Sequence, residues 1–259
     1  RLEHLIKKIP DIVTGEKVAH GSVWQGESAP QMENGESLAC SHEEACARVA
    51  KRFAPRWLRF YVGGKLRSDP VFASAYEILS VAPAPLLDVG CGVGLLPFYL
   101  RERGLAGTMT GIDIDGRKVQ RGHAIAQACY RDVSLREMDA AHDEMSAFRG
   151  NIALFDLLHY VPAEAQRRLL ERLAQCVPEG GLVLIREAPR DRSARFRMTY
   201  LGEVFAQTIS WNVGGGLHFP RRAELAAAFP ASEWTLTEQP TWGRTPFNNR
   251  LFIFRRRAL

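Results

Sequence analysis

From about residue 81 onward, two kinds of hydrophobic pattern alternate along the chain. Short apolar runs rich in Leu, Ile and Val predict strands, and longer segments with apolar residues every three or four positions predict helices. The predicted strands span residues 85–90, 107–114, 133–138, 151–158, 182–188, 233–239 and 250–256. The predicted helices between the first five strands span residues 94–103, 116–130, 140–148 and 162–176. Strand and helix therefore take turns through most of the chain.

This alternation defines the fold class. Strands separated by helices of about 10 to 15 residues indicate βαβ crossovers and a parallel sheet that is covered on both faces. No helix is predicted between the last two strands, so these are expected to form an antiparallel edge. We therefore predict an α/β fold with a seven-stranded, mainly parallel, doubly wound sheet.

The N-terminal part of the chain has a different pattern. Residues 1–42 are polar and rich in glycine, without a sustained period, and are predicted to form an arm or linker that contact with the main body orders in part. Residues 43–80 predict a helical cover, in which Ser41 caps the first helix and Gly63–Gly64 interrupts the second. Residues 81–259 are predicted to form the main domain.

Composition and charge exclude several classes of protein. A chain of 259 residues suffices for one large domain, or for one domain with an appendage. The net charge of +5 comes from dispersed arginines, which disfavours a nucleic-acid site. The five cysteines are scattered, with no pair at metal-ligand spacing, so neither a disulfide nor a metal site is expected.

The hydropathy of the chain bears on its location. No apolar run reaches the roughly 18 to 20 residues that a membrane span requires, and the first ten residues lack the apolar segment of a secretory signal. We therefore predict a cytoplasmic protein without a membrane span.

Glycines follow the first predicted strand closely. Residues 88–94 read Asp-x-Gly-x-Gly-x-Gly, which brings bare backbone to the strand end, where it can approach a ligand. A dinucleotide-binding GxGxxG turn needs its third glycine three residues after the second, and that position holds Leu95 in one register and Pro97 in the other. A phosphate-binding P-loop would need a lysine here. The loop therefore fits neither nucleotide motif.

The glycine loop resembles the first motif of the class I methyltransferases that use S-adenosylmethionine. The resemblance continues through "GIDID" at 111–115, "MDAAHD" at 138–143, "NIALFDLLHYVP" at 151–162 and "LLERLAQCVPEGGLVLIRE" at 169–187. It covers roughly residues 70–190 and implies S-adenosyl-L-methionine as cofactor, with S-adenosyl-L-homocysteine as product.

The resemblance assigns roles to residues at the strand ends. Asp113 would accept hydrogen bonds from both ribose hydroxyls, with Ile114 against the adenine ring. Asp139 would accept from the exocyclic amine of the adenine. Asp88 would order the loop or hold the cofactor's amino group through water. The implied cofactor-binding set is Asp88, Gly90, Cys91, Gly92, Gly94, Asp113, Ile114, Asp139, Ala140, Phe155 and Asp156.

Three of these residues also have structural interpretations. Asp113 could cap the helix that starts at Gly116, although Asp115 is the better candidate for that cap. Asp139 could cap the helix predicted over 140–148. Cys91 could be a small packing residue, since nothing nearby in the sequence indicates an activated thiolate.

The acceptor is expected beyond the fourth and fifth strands, at the carboxyl edge of the sheet. His159 and Tyr160 follow the fourth strand and are the predicted catalytic residues, with His159 as a general base. A structural alternative is a histidine bonded to a neighbouring carbonyl. After the fifth strand, residues 189–220 predict a lid-like insertion, with four arginines in its first part. Its larger side chains are Phe196, Met198, Tyr200, Phe205, Trp211 and His218.

These observations favour methyl transfer to a small biosynthetic intermediate, aromatic or acyl, free or bound to a carrier. Oxygen is favoured over carbon or nitrogen as the acceptor atom, and the absence of the Asn-Pro-Pro-Tyr signature of amino methylation disfavours adenine or glutamine amides as acceptors. Two alternatives stay open: a cofactor-binding regulatory protein without turnover, and an RNA methyltransferase.

Overall fold

A computed structural model describes residues 40–143, 145, 147–208 and 216–258. The predicted N-terminal arm falls almost entirely outside these ranges. The described chain begins with three helices: α1 (His42–Lys51), α2 (Arg56–Ser68) and α3 (Val71–Ser80).

The first helix starts where the sequence predicts. Ser41 Oγ accepts a hydrogen bond from the Glu44 backbone N–H, and the Glu44 carboxylate accepts one from the Ser41 N–H. This reciprocal capping box satisfies two backbone donors at the helix start.

The predicted break at Gly63–Gly64 is wrong, because α2 runs through both glycines. A Cβ at position 63 would lie 3.3 Å from the Cβ of Ala50 in α1. The glycine therefore serves close contact between the two helices, and burial of α2 against α1 outweighs the low helix propensity of glycine.

Seven strands form one sheet in the order β3-β2-β1-β4-β5-β7-β6. The first five strands pair in parallel, and β7 pairs antiparallel with both β5 and β6. The predicted α/β class and the antiparallel edge are therefore confirmed. The strands are β1 (Leu86–Val89), β2 (Met109–Asp113), β3 (Val133–Glu137), β4 (Asn151–Phe155), β5 (Leu182–Glu187), β6 (Trp234–Pro240) and β7 (Arg250–Arg256).

Helices cover both faces of the sheet. The remaining ones are α4 (Leu95–Glu102), α5 (Gly116–Cys129), α6 (Ala163–Gln175), α7 (Ala194–Thr208) and α8 (Arg222–Ala227), with a 3-10 turn at Leu158–Tyr160. One hydrophobic core lies between the sheet and α1 to α5, and a second lies between the sheet and α6 and α8. Along β5, for example, Leu184 belongs to the first core and Ile185 to the second. Burial on both faces explains the continuous apolar runs of the parallel strands.

The helix predicted over 140–148 is wrong. Residues 139–143 form a turn, in which the Asp139 carbonyl accepts from the N–H groups of His142 and Asp143. The Asp139 side chain also accepts from the Ala141 N–H, and such local side-chain bonds compete with helix formation. Residues 144 and 146 lie outside the described part of the chain.

Within the described ranges, no helix combines the length and the apolar character that crossing a membrane requires.

Candidate active site

The glycine loop leaves β1 at the carboxyl edge of the sheet. Gly90, Gly92 and Gly94 all have positive φ, at 78°, 56° and 83°, a backbone conformation that side chains disfavour. A Cβ at Gly94 would lie 2.9 Å from Leu135, whereas a Cβ at Gly92 would meet no atom within 4 Å. The loop is therefore packed against Leu135 at Gly94 and open at Gly92.

Asp113 ties this loop to the end of β2. Its Oδ2 accepts from the Gly92 N–H at 2.8 Å, and its Oδ1 accepts from the Asp115 N–H at 2.8 Å. Asp115 is the N-cap of α5 and accepts from the Arg117 N–H, so the preference for Asp115 as the cap is confirmed. Each Asp113 oxygen keeps a further lone pair for a ligand hydroxyl. Next to it, the Ile114 side chain is 64% exposed.

Asp88 lies in β1, just before the glycine loop, and Cys91 lies within the loop. Burial, with a further contribution from the negative charge of Asp113, raises the pKa of Asp88 to about 8. Cys91 packs over Gly111 in β2, where an added Cβ would lie 2.7 Å from the Cys91 sulfur. Burial also raises the pKa of the Cys91 thiol, so the side chain is a protonated packing group.

Asp139 follows Met138, whose backbone N–H donates to the Asp113 carbonyl across the ends of β2 and β3. Burial alone would raise the pKa of Asp139, but its hydrogen bonds from His142 and from the Ala141 N–H outweigh this and lower the pKa. The adjacent Ala140 is partly buried against the second core. Asp139 caps a turn here instead of the predicted helix.

Phe155 and Asp156 follow at the end of β4. Asp156 has a φ of 54°, and its Oδ2 accepts from Arg186 Nη1 at 2.5 Å. The same Arg186 nitrogen lies 3.0 Å from Oδ2 of Asp69, which lies between α2 and α3. The buried Arg186 therefore joins the helical cover to the carboxyl edge of the sheet.

His159 is buried on the 3-10 turn after β4, with 3% of its surface exposed. Its Nδ1 lies 2.9 Å from Glu187 Oε1, and its backbone N–H donates to Glu187 Oε2 at 3.2 Å. The structural alternative of a bond to a neighbouring carbonyl is therefore wrong for this ring nitrogen, because a carboxylate holds it. The His159 ring also stacks on Phe219, with centroids 4.8 Å apart.

A second carboxylate approaches the other edge of the His159 ring. Glu203 Oε2, from α7, lies 3.9 Å from His159 Nε2 and accepts from the Tyr160 hydroxyl at 2.6 Å. Burial alone would lower the pKa of His159, but the charges of Glu187, Glu203 and Asp156 raise it to about 9. The raised pKa favours the protonated form of His159 at neutral pH. Burial, with the bond to Glu203, raises the pKa of the Tyr160 hydroxyl.

Part of the predicted insertion forms α7 and the segment that carries Phe219. Phe196 and Tyr200 pack around Phe219, and Met198 is 47% exposed. Trp211 and the Phe205 side chain lie outside the described part of the structure. A cavity of about 600 Å³ is lined by Phe219 and His218 together with residues of α6, α7 and α8. None of the predicted cofactor residues lines this cavity.

Comparison with known proteins identifies the family. The family described as "Methyltransferase domain" matches residues 56–239, which is well over half of the chain. The chain belongs to the methyltransferases. The predicted membership of the class I, S-adenosylmethionine-dependent group is confirmed.

Curated relatives of this methyltransferase are ubiquinone biosynthesis O-methyltransferases. The Paracidovorax citrulli protein is 32% identical over 124 residues, covering 46% of this chain and 50% of its own length. The Xylella fastidiosa (strain M23) protein is 27% identical over 176 residues, covering 66% of this chain and 69% of its own length. The chain thus spans only half the length of the first relative.

Solved structures share the fold of this methyltransferase. Magnesium protoporphyrin IX methyltransferase from Synechocystis PCC 6803, with bound SAH, is 16% identical with a TM-score of 0.55, covering 86% of this chain and 90% of its own. An O-methyltransferase family protein from Burkholderia thailandensis is 17% identical with a TM-score of 0.57, covering 83% and 58%. At these identities the likeness concerns the fold alone.

Several charged residues at this candidate site were not predicted from the sequence. Arg186 and Glu187 end β5, Asp69 lies between α2 and α3, and Glu203 lies in α7. The sequence signal for Arg186 and Glu187 was their position as two charged residues at the end of an apolar strand. A charge buried in a sheet needs a partner, so such residues indicate a charged pair or a ligand. Nothing in the α7 sequence distinguishes Glu203. Within the described ranges, no group of three His, Cys, Asp or Glu side chains is arranged to hold a metal ion.

Proposed function

We propose that this methyltransferase transfers a methyl group from S-adenosyl-L-methionine to a hydroxyl oxygen of a small aromatic intermediate, free or bound to a carrier. The observation that carries the proposal is the His159–Glu187 pair at the carboxyl edge of the sheet. In an open α/β sheet this edge is where ligands bind. A protonated, oriented imidazole there can donate a hydrogen bond to an acceptor oxygen that becomes negative as it loses its proton.

The loop residues fit the cofactor. The open face at Gly92 admits a ligand next to backbone, Asp113 has lone pairs for ribose hydroxyls, and Ile114 offers an exposed apolar surface for an adenine ring. Asp139 and Ala140 follow the end of β3, and Phe155 and Asp156 lie at the end of β4, at the same edge of the sheet. When bound, the cofactor supplies a methyl group that its sulfonium already activates, so this chain's residues need to orient the acceptor and exclude water.

The names of the relatives support oxygen as the acceptor atom, because the curated ones are ubiquinone biosynthesis O-methyltransferases. His159 and Tyr160 are the residues that we propose to contact the acceptor. Because its pKa is raised to about 9, His159 contacts the acceptor as a cation. The ordinary pKa of histidine predicts the free base instead. The insertion with α7 is proposed to cover the acceptor, and the protein is proposed to act in the cytoplasm.

The test uses purified protein, S-adenosylmethionine and a panel of acceptors, with S-adenosylhomocysteine measured by mass spectrometry. The panel contains catechol, 3,4-dihydroxybenzoate, benzoate, a cell metabolite extract and total RNA. We expect product with hydroxylated aromatics and with the extract. Turnover on RNA alone would replace the proposal with RNA methylation. Cofactor binding without turnover on any acceptor would support a regulatory protein.

A further inference from the structure

We propose that Glu203 takes the proton of the acceptor hydroxyl, while His159 donates a hydrogen bond from Nε2 to the same oxygen as it becomes negative. The inference rests on the proposed function and names the residue that acts as its base. It also names the acceptor class, which is a phenol and not an aliphatic alcohol.

The Nδ1 edge of His159 is already committed. Glu187 accepts from His159 Nδ1, from the His159 backbone N–H and from the Ala188 N–H, the last at 2.9 Å. Three N–H donors hold this carboxylate in one position, so Nδ1 carries a proton. Only the Nε2 edge is left to meet an acceptor.

The Nε2 atom is buried and has no hydrogen-bond partner among the described residues. A buried polar atom without a partner is costly, and at the carboxyl edge of the sheet it points to a ligand atom. Glu203 Oε2 lies 3.9 Å away, too far for a direct hydrogen bond. One hydroxyl oxygen about 2.8 Å from each atom would bridge the two groups.

The charges around His159 decide which group donates. Glu187, Glu203 and Asp156 are negative, Tyr160 is a neutral phenol, and Arg186 is paired with Asp69 and Asp156. The His218 backbone N–H donates to the His159 carbonyl. This balance keeps a proton on Nε2 at neutral pH, as the raised pKa indicates. An imidazolium can donate a hydrogen bond but cannot accept a proton.

Glu203 is placed to accept the proton. The Tyr160 hydroxyl fixes its Oε2 at 2.6 Å, and the side chain is 28% exposed, so a proton can pass from it to water. In the step, the acceptor O–H bond breaks and the proton moves to the Glu203 carboxylate. The oxygen forms its bond to the methyl carbon, and the carbon–sulfur bond breaks with its electron pair on sulfur, which becomes the neutral thioether of S-adenosylhomocysteine.

The acidity of the acceptor follows from the strength of this base. A carboxylate is a weak base, so it can take a proton only from a fairly acidic hydroxyl. The imidazolium helps because it stabilises the oxygen anion that forms. A phenol has a pKa of about 10, whereas water has a pKa near 15.7 and an alcohol is about as weakly acidic as water. A phenol therefore gives up its proton to a carboxylate far more readily. The structure therefore favours phenolic acceptors.

The first experiment compares two probe acceptors. Catechol must lose a proton during transfer, whereas 4-nitrocatechol is ionised near neutral pH because its nitro group stabilises the anion. We expect Glu203→Gln to lower kcat for catechol by roughly 100- to 10,000-fold and to change kcat for 4-nitrocatechol by less than about tenfold. Glu203→Asp should recover part of the catechol rate.

The control is Glu179→Gln, on the exposed turn before β5, which should change neither rate. Equal losses with both acceptors would reduce Glu203 to a structural role.

The second experiment needs no acceptor. In protein with ¹⁵N-labelled histidine and bound S-adenosylhomocysteine, the His159 signals should be those of an imidazolium at pH 7, with the titration midpoint lower in Glu203→Gln. A neutral imidazole at pH 7 would overturn the inference and return the base role to His159. If the wild type methylated neither catechol nor 4-nitrocatechol, the proposed function would fail for these acceptors. The histidine titration would still decide the protonation state of His159.

Discussion

The backbone N–H of Gly92 donates to Asp113 Oδ2 at 2.8 Å, so the glycine loop and the end of β2 are joined by one hydrogen bond. The bond relates the two predicted ends of the cofactor site, which lie 21 residues apart in the chain. One carboxylate therefore holds the loop in position and keeps lone pairs for a further donor.

Asp113→Ala tests this double role. The change should weaken S-adenosylhomocysteine binding by about 2 to 4 kcal/mol, because charge-assisted hydrogen bonds contribute about 1.5 to 3 kcal/mol each and seldom add fully. Calorimetric titration gives the affinity. The control is Asp115→Ala, which removes the α5 cap and should cost about 1 kcal/mol of unfolding free energy with little change in affinity. An unchanged dissociation constant for Asp113→Ala would assign Asp113 to loop structure alone.

Gly92→Val and Gly94→Val separate ligand space from packing. At Gly92 the new side chain would enter the open face of the loop, so binding should be lost while the fold persists with a strained backbone. At Gly94 the side chain would collide with Leu135 and Phe98, so the unfolding temperature should fall further. Thermal unfolding and calorimetry with S-adenosylhomocysteine measure both effects. Full affinity in Gly92→Val would contradict a cofactor at this loop, as would tight NAD binding by the wild type.

Asp88→Asn tests the buried carboxyl group. Its pKa of about 8 exceeds the ordinary value of about 3.9, so the folded state binds the proton more tightly than the unfolded state does. Stability contributed by this group therefore falls as pH rises from about 4 to 8. Asn cannot ionise, so Asp88→Asn should be more stable than the wild type at pH 8 and nearly equal at pH 4. Urea unfolding of the ligand-free protein at both pH values measures this, and a less stable variant at pH 8 would show that the carboxylate is stabilised after all.

The fold could be predicted because the strands are buried on both faces. Continuous apolar runs such as Leu182–Ile185 leave little ambiguity. Two predictions were wrong, one because of a tertiary contact and one because of local side-chain hydrogen bonds. Gly63 suggested a break, but close contact with Ala50 explains it, and the 140–148 segment has a helical pattern that the Asp139 side-chain bonds interrupt.

Residues of the candidate site could be located from the sequence where a motif lies at the end of a predicted strand. Gly92 and Asp113 belong to consecutive strand ends, so their order in the chain locates them. The charges around His159 come instead from separate segments, and only folding brings Glu187 and Glu203 to the two edges of its ring. These contacts raise the pKa of His159 from its ordinary value of about 6.5 to about 9.

His159→Gln tests that titration through stability, without an acceptor or a cofactor. Burial alone lowers the pKa of His159, but Glu187, Glu203 and Asp156 raise it to about 9 in the folded protein, whereas the unfolded value is about 6.5. The charged pair therefore contributes its full stability below about pH 6.5 and loses it as pH rises through about 9.

Over this range the wild type should lose up to about 3 kcal/mol more unfolding free energy than His159→Gln, because each pKa unit corresponds to about 1.36 kcal/mol. Urea unfolding at pH 6, 7.5 and 9.5 gives the difference between the two proteins, and taking that difference cancels the contribution of Asp88. Glu187→Gln should reduce the same pH dependence, since it removes the carboxylate that holds Nδ1. Parallel stability curves for the wild type and His159→Gln would mean that His159 is neutral in the folded protein, and that a free imidazole base meets the acceptor.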